Sequence, residues 1–181
     1  MLLEKWLMPD RVYAHYYDVT PEAVLSTGRH ALLCDIDNTL ATYDDPTPPQ
    51  PLLRWFSQME AAGVRIAFVS NNSRERVERF NAALGYPAFG KAGKPKTKYL
   101  QAACDALGVS PEEAIALGDQ LLTDCAAAKR FGIPSWIVPP IKDKRTLFFR
   151  AKRRLERPYM RSYLRQHGAP MEATKQNGDT V

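Results

Sequence analysis

The sequence predicts an α/β protein with a three-layer, Rossmann-like architecture, in which helices cover both faces of a parallel sheet. Three observations lead there. Four short apolar runs, His30 to Asp35, Val64 to Ser70, Ala114 to Gly118 and Ser135 to Val138, read as buried strands. Helical patterns lie between them, and each stops at a glycine. Strands that alternate with helices at this spacing need crossover connections, and crossovers impose parallel pairing.

Taken in order, the chain opens on an apolar stripe of Leu2, Leu3, Trp6 and Leu7, which suits either a helix edge docked on the core or an interfacial helix. After the first strand, Pro46, Pro48, Pro49 and Pro51 mark a stiff loop. Four helices follow: Gln50 to Ala62, Arg74 to Leu84, Pro95 to Leu107 and Leu121 to Phe131, closed by Gly63, Gly85, Gly108 and Gly132. A helix commonly ends on a left-handed residue, and glycine adopts that conformation without steric cost. Beyond the last strand, Leu147, Phe148, Ala151 and Leu155 recur at helical spacing, and Tyr159, Met160, Tyr163 and Leu164 follow Pro158. One or two basic amphipathic helices are predicted there. The chain thus divides into an α/β domain over 1–140 with an N-terminal helical segment, a basic helical extension over 141–165 packed on or next to it, and a disordered tail over 166–181.

Composition narrows the class. The 181 residues are 45% hydrophobic and 25% charged, which excludes disorder as the main state. The length fits one domain with a self-sufficient core. Uninterrupted apolar stretches such as Ala31 to Cys34 are far shorter than the roughly 20 residues of a spanning helix. Met1 to Pro9 carries charge where a signal peptide needs its apolar centre, so a cytoplasmic location is expected, with peripheral contact at the inner face of the membrane as an option. Cys34, Cys104 and Cys125 are too few and too scattered for a disulfide framework or a zinc site, and read as small core residues.

The net charge of +5 is unevenly distributed. Ile141 to Arg165 holds ten basic and two acidic residues, a local charge of +8, against −3 for the remainder. Such a segment suits an anionic membrane or a nucleic acid. The alternative is a helix that docks its apolar stripe and leaves the basic face in water.

In an open parallel sheet, ligands bind beyond the carboxyl ends of the strands. The first strand runs out into Asp35-Ile36-Asp37-Asn38-Thr39, the second into Ser70-Asn71-Asn72, and the third into Gly118-Asp119-Gln120 with Asp124 a turn later. Lys94-Pro95 opens the third helix. Four carboxylates meeting in one crevice repel one another unless a cation joins them, and an all-oxygen donor set selects a hard one such as Mg2+. Lys94, Ser70 and main-chain amides then offer the positive charge and donors that a transferring phosphoryl group needs. Singly, an Asp-x-Asp or a Gly-Asp turn is ordinary; in this order, each at a strand end of one sheet, they point to one site.

These residues look like the four signature motifs of the haloacid dehalogenase (HAD) superfamily of phosphatases, subfamily IIIA. A narrower resemblance, to the YqeG family related to mitochondrial phosphatidylglycerophosphate phosphatase, rests on Leu7-Met8-Pro9-Asp10, Thr20-Pro21, Asp35 to Leu40, Val69 to Asn72 and Gly118-Asp-Gln-Leu-Leu-Thr-Asp124. It extends to about Arg165 and implies a capless HAD-like fold. It also implies roles: Asp35 as the nucleophile that forms an aspartyl-phosphate, and Asp37 as the general acid and base, its main-chain carbonyl facing the metal. Asp35, Asp37, Asp119 and Asp124 would be the metal set, Asp124 either through water or by orienting Lys94. Ser70, Asn71 and Lys94 would bind substrate, while Asn38 and Thr39 would fix the loop.

Only 35 positions separate Asp35 from Ser70, and 24 separate Ser70 from Lys94, which leaves no room for a cap domain. An open crevice favours a phosphate presented on something large. With the basic segment and the family likeness, the leading expectation is a magnesium-dependent phosphomonoesterase acting on phosphatidylglycerophosphate. Two alternatives stand: a phosphatase for soluble nucleotide, sugar or nucleic-acid-end phosphates, and a noncatalytic nucleic-acid- or ribosome-binding module. A receiver-like domain phosphorylated on Asp35 is disfavoured by Asp37.

Overall fold

In a computed structural model, described for residues 3–142 and 147–173, the strands β1 (Arg11–Val12), β2 (Ala31–Cys34), β3 (Arg65–Val69), β4 (Ala88–Phe89), β5 (Ala114–Gly118) and β6 (Ser135–Ile137) form one parallel sheet in the order β1-β6-β5-β2-β3-β4. The helices are α1 (Glu4–Leu7), α2 (Pro21–Leu25), α3 (Gln50–Ala61), α4 (Arg74–Asn81), α5 (Lys98–Leu107), α6 (Ala126–Phe131) and α7 (Leu147–His167).

The central strands are apolar throughout because both of their faces are covered. Leu32 and Cys34 point to one side with Ile66, Phe68, Ile115 and Leu117, and there they meet Trp55, Phe56 and Met59 of α3 and Phe80 of α4. Ala31 and Leu33 point to the other with Ala67, Val69 and Ala116, against Leu100, Ala103 and Cys104 of α5 and Ala127 and Ala128 of α6. This is the two-residue alternation of a strand. The first face is aromatic, with Phe56, Phe68, Phe80 and Tyr86 meeting edge to face at 5.5–5.8 Å. The second is built largely from alanine. All three cysteines are buried and unpaired, as core residues.

Register decides where the chemistry falls. Cys34 stands opposite both Phe68 and Leu117, so β2, β3 and β5 end nearly level and Asp35, Ser70 and Asp119 leave the sheet along one edge. Asp35 extends the ladder by donating its amide to Leu117 O at 2.8 Å, and Ser70 does the same to Phe89 O at 2.9 Å.

Several local features differ from the pattern reading. The two-residue edge strands β1 and β4 are too short to show a hydrophobic period. The third helix begins at Lys98 rather than Pro95, because Lys96 N closes a turn on Gly93 O at 3.0 Å first. The fourth begins as a wide turn over Leu121–Cys125, in which Cys125 N reaches back five residues to Gln120 O at 3.2 Å, and only then continues as α6.

The basic extension forms one helix that runs through Pro158. It docks on the α/β body: Tyr163 is buried with Leu7, Val12, Leu121 and Ile137, and Tyr159, Met160 and Leu164 pack around it. The Tyr163 hydroxyl accepts the Val12 amide at 3.2 Å. Leu7 of the N-terminal stripe joins this cluster while Leu3 stays 52% exposed. The predicted disordered tail departs from expectation over its first part. Gln166 and His167 belong to α7, Met171 bridges to Tyr13 just past β1, and Ala173 N donates to Asp18 Oδ1 at 3.0 Å. Main-chain pairing to an open strand edge needs no side-chain pattern, so polarity alone did not reveal it. Residues 174–181, like Asp143, Lys144, Arg145 and the side chains of Leu147 and Phe148, lie outside the described residues. Among the described residues no helix is long and apolar enough to cross a membrane.

Candidate active site

The loop after β2 is folded on its own main chain. The amides of Thr39, Leu40 and Ala41 converge on Ile36 O at 3.0–3.3 Å, and Asn38, at φ +68°, donates to Ala41 O at 2.7 Å. Asparagine tolerates this left-handed conformation better than most residues. Asn38 O in turn accepts the Ile141 amide at 3.0 Å. Asn38 therefore fixes the loop, as the resemblance implies, and Thr39 also holds Asp35, its hydroxyl donating to Asp35 Oδ2 at 3.3 Å.

Asp37 is held from the neighbouring crossover. Its Oδ1 accepts from Arg76 Nε at 3.2 Å and Nη2 at 3.1 Å, and its Oδ2 accepts from Asn72 Nδ2 at 2.8 Å. Arg76 is itself braced on Thr42 O at 3.1 Å. It sits in the first turn of α4, which Ser73 caps by accepting the Arg76 amide at 3.2 Å. Arg76 was missed from the sequence, where nothing separates it from Arg74 or Arg79.

Ser70 is almost fully buried, and its hydroxyl accepts the Asn72 amide at 3.1 Å. Asn71 brackets the main chain of Lys94: its Oδ1 accepts Lys94 N at 2.7 Å and its Nδ2 donates to Lys94 O at 3.1 Å. Thus anchored, Lys94 places Nζ 2.8 Å from Asp35 Oδ1 and 2.6 Å from Asp124 Oδ1. Burial alone would favour a neutral amine, but the two carboxylates outweigh it and hold the ammonium charged.

At the end of β5 the carboxylates crowd. One oxygen each of Asp35, Asp119 and Asp124 lies within 4.8 Å of the others, and all three residues are buried. Desolvation is the main cause that pushes Asp35 up to about 7, with Asp124 and Asp37 adding to it and Lys94 opposing. Desolvation and then Asp124 push Asp119 up to about 8, against the pull of Arg153. Gly118 makes this approach possible, since a β-carbon there would stand 2.4 Å from Asp124 Cβ. Asp124 Oδ2 also accepts the Gln120 amide at 3.0 Å.

Asp35, Asp37, Ser70, Lys94 and Asp124 floor a cleft of about 230 Å³, lined further by Tyr43, Asn71, Asn72, Gln120, Thr123 and Lys152, and Asp119 joins the site through the carboxylate cluster. The site residues predicted from sequence are therefore together, with one distinction. The crowded cluster holds Asp35, Asp119 and Asp124, whereas the Asp37 carboxylate is engaged by Arg76 and Asn72.

The cluster fits a hard divalent cation. Three buried carboxylates face two cationic side chains, Lys94 and Arg153, so one negative charge of the cluster has no cation of the chain against it. A donor set made of oxygen alone matches a hard cation rather than a soft one.

Arg153 and its neighbour come from α7. Arg153 pairs with the Asp119 carboxylate, donates to Asp119 O at 2.7 Å, and bridges to Glu156 Oε2 at 3.1 Å. Buried Glu156 accepts the Leu122 amide through Oε1 at 3.0 Å. In the sequence Arg153 is lost among basic residues that look alike, and Glu156 is one of two acids in that run with nothing to tie it to the site.

An α/β sheet with a single helix in each of the two crossovers between Asp35 and Lys94, and with acids, a serine and a lysine at its strand ends, defines a capless hydrolase of the Rossmann-like class. Comparison with known proteins makes this particular. The model of the haloacid dehalogenase-like hydrolases matches residues 10–132, and the chain belongs to that family. It is 33% identical over 156 residues to Probable phosphatase YqeG of Bacillus subtilis (strain 168), covering 86% of this chain and 91% of that one, which places it among the YqeG-type phosphatases. Among solved structures, a hypothetical protein from Xanthomonas campestris has a TM-score of 0.51 at 18% identity, over 66% of this chain and 72% of that one. An uncharacterized protein from Listeria monocytogenes serotype 4b has a TM-score of 0.50 at 18% identity, over 64% and 84%. Both likenesses concern the fold.

Proposed function

We propose that this phosphatase is a magnesium-dependent phosphomonoesterase that works through an aspartyl-phosphate on Asp35 and takes phosphatidylglycerophosphate as substrate. The observation that carries the chemistry is the floor of the cleft, where Asp35 lies within 2.8 Å of Lys94 and beside Asp119 and Asp124.

Asp35, Asp119 and Asp124 would hold the cation, with the main-chain carbonyl of Asp37 as a further donor. Bound there, the ion offsets the crowded negative charge and polarises the phosphoryl oxygens. In the first half-reaction an Asp35 oxygen bonds to phosphorus while the bond to the leaving alcohol breaks, and Asp37 gives that oxygen its proton. In the second, Asp37 takes a proton from water as the water oxygen bonds to phosphorus, and the bond to Asp35 breaks. Arg76 and Asn72 keep the Asp37 carboxylate aimed through both steps. Ser70 donates to a phosphoryl oxygen and Lys94 offsets the charge that grows in the transition state. Both amide ends of Asn71 are engaged by Lys94, so we assign Asn71 the positioning of Lys94 rather than direct contact with substrate.

The lipid assignment rests on the open, capless cleft, on the basic helix beside it and on the likeness to the YqeG family. Peripheral contact with an anionic membrane through α7 belongs to the same proposal. The test is phosphate release from phosphatidylglycerophosphate in mixed micelles and from a panel of soluble monoesters, with metal removed and restored. The proposal expects the lipid to be the preferred substrate and turnover to stop without the cation. Activity on soluble esters alone would transfer the assignment to nucleotide, sugar or nucleic-acid-end phosphates.

A further inference from the structure

We propose that α7 is a fixed wall of the active site and that Lys152 on it is a specificity-determining residue, one that contacts a second anionic group of the substrate outside the phosphoryl group being transferred. The inference rests on the phosphatase reading but on no particular substrate.

Among the described residues lining the cleft, the cationic side chains are Lys94 and Lys152. Lys94 is on the floor, buried and ion-paired with both Asp35 and Asp124, and belongs to the transferring phosphoryl group. Lys152 is only partly buried, so it stands nearer the mouth. A monoester whose phosphorus is seated against Asp35 must extend the rest of its structure outward, past that ammonium.

The helix is not a loose arm in this position. Arg153, the next residue, clasps both the carboxylate and the carbonyl of Asp119, and Glu156, one turn on, ties Arg153 to the Leu122 amide. Lys152 Nζ also lies 3.5 Å from Gln120 Oε1, the residue beside Asp119. Farther along, Tyr163 anchors the helix in the core. Lys152 is thereby set at a defined place over the cleft, and a preorganised cation recognises an anion with less ordering cost than a mobile one. With no cap domain among the described residues, selection among monoesters falls to such a wall.

The test uses hydrolysis of p-nitrophenyl phosphate as the reporter and two competing ligands, glycerol 3-phosphate and glycerol 1,3-bisphosphate, which differ by one anionic group. The readout is the ratio of their inhibition constants, which is independent of any loss of basal rate. We expect the wild-type chain to bind the bisphosphate about tenfold more tightly, the size of one charge-assisted contact. Lys152→Ala should bring the ratio close to one, Lys152→Glu should invert it, and Lys152→Arg should retain most of it. A wild-type ratio near one, or a ratio unchanged in Lys152→Ala, overturns the proposal. So does an equal weakening of both ligands, which would assign Lys152 to the transferring phosphoryl group. Lipid turnover is measured separately, so loss of the phosphatidylglycerophosphate assignment leaves this result standing, whereas absence of any monoesterase activity removes both.

Discussion

The two sides of the cleft handle buried acid in opposite ways. On the side of β3 and α4, Asp37 meets one guanidinium and one amide, and each of its oxygens has a matched donor. On the side of β5, Asp35, Asp119 and Asp124 outnumber the cations that pair with them, and Asp35 and Asp119 are pushed up by burial first and by Asp124 after it. A balanced carboxylate is a positioned tool. An unbalanced cluster is a place prepared for a charge the chain does not itself carry.

The sharpest way to break this contrast is to neutralise one acid on the crowded side. Asp35→Asn should lower turnover by about a thousandfold or more, since the nucleophile is gone. The metal-free variant should melt no lower than the parent at pH 8, because a charge the fold disfavours has been removed. Retained activity would refute the nucleophile, and a clear fall in melting temperature at pH 8 would refute the crowding. On the balanced side the same logic predicts a different outcome. Arg76→Ala leaves the buried Asp37 carboxylate without its cation and with Asn72 as its remaining hydrogen-bond partner, so it should cost about 2 kcal/mol of stability and lower kcat about tenfold. Denaturant unfolding and steady-state kinetics check both; a neutral effect on each would show that Arg76 is dispensable.

Gly118→Ala probes the geometry rather than the charge. Its new methyl group would collide with Asp124 at 2.4 Å, at a cost of about 1–3 kcal/mol, together with weaker cation affinity by calorimetry. Full stability and affinity would mean that Asp124 relocates freely.

The smallest effect is a pH dependence. Asp35 and Asp119 rise from 3.8 to about 7 and about 8 in the folded chain. Over that interval the folded state binds more protons than the unfolded one, so these two groups stabilise it fully below about 4 and lose that contribution as pH climbs to about 8. A divalent cation held by the cluster would reverse the loss. At a hundredfold excess over its Kd, magnesium should raise the melting temperature by about 5 °C at pH 8 and by clearly less at pH 5. Equal shifts at both pH values would sink the account.

Much of this was legible in the chain. The strands β2, β3, β5 and β6 announce themselves as continuous apolar runs, because a strand covered on both faces has no polar side to show. Asp35, Ser70 and Asp119 could be placed because each follows such a run, and Lys94, at the predicted opening of the third helix, gained its weight from their company. Arg76 could not, since its partner Asp37 lies across a crossover and the surrounding arginines look the same. The basic stretch was read by its total charge, as a surface for membranes or nucleic acids or as a helix docked by its apolar stripe. Neither reading singled out Arg153 and Glu156, which face inward at Asp119 and Leu122.

Local periodicity and the order of polar residues at strand ends are properties of neighbouring residues, and they determined the fold class, the capless spacing and the acids of the cleft. Which acid is matched by a cation from α4 or α7, and which helix face meets the site, depends on residues 34 to 39 positions apart in the chain. Only the packing of α4 and α7 against the sheet decided those pairings. Charge compensation acts through distance in space, and sequence separation carries no trace of it.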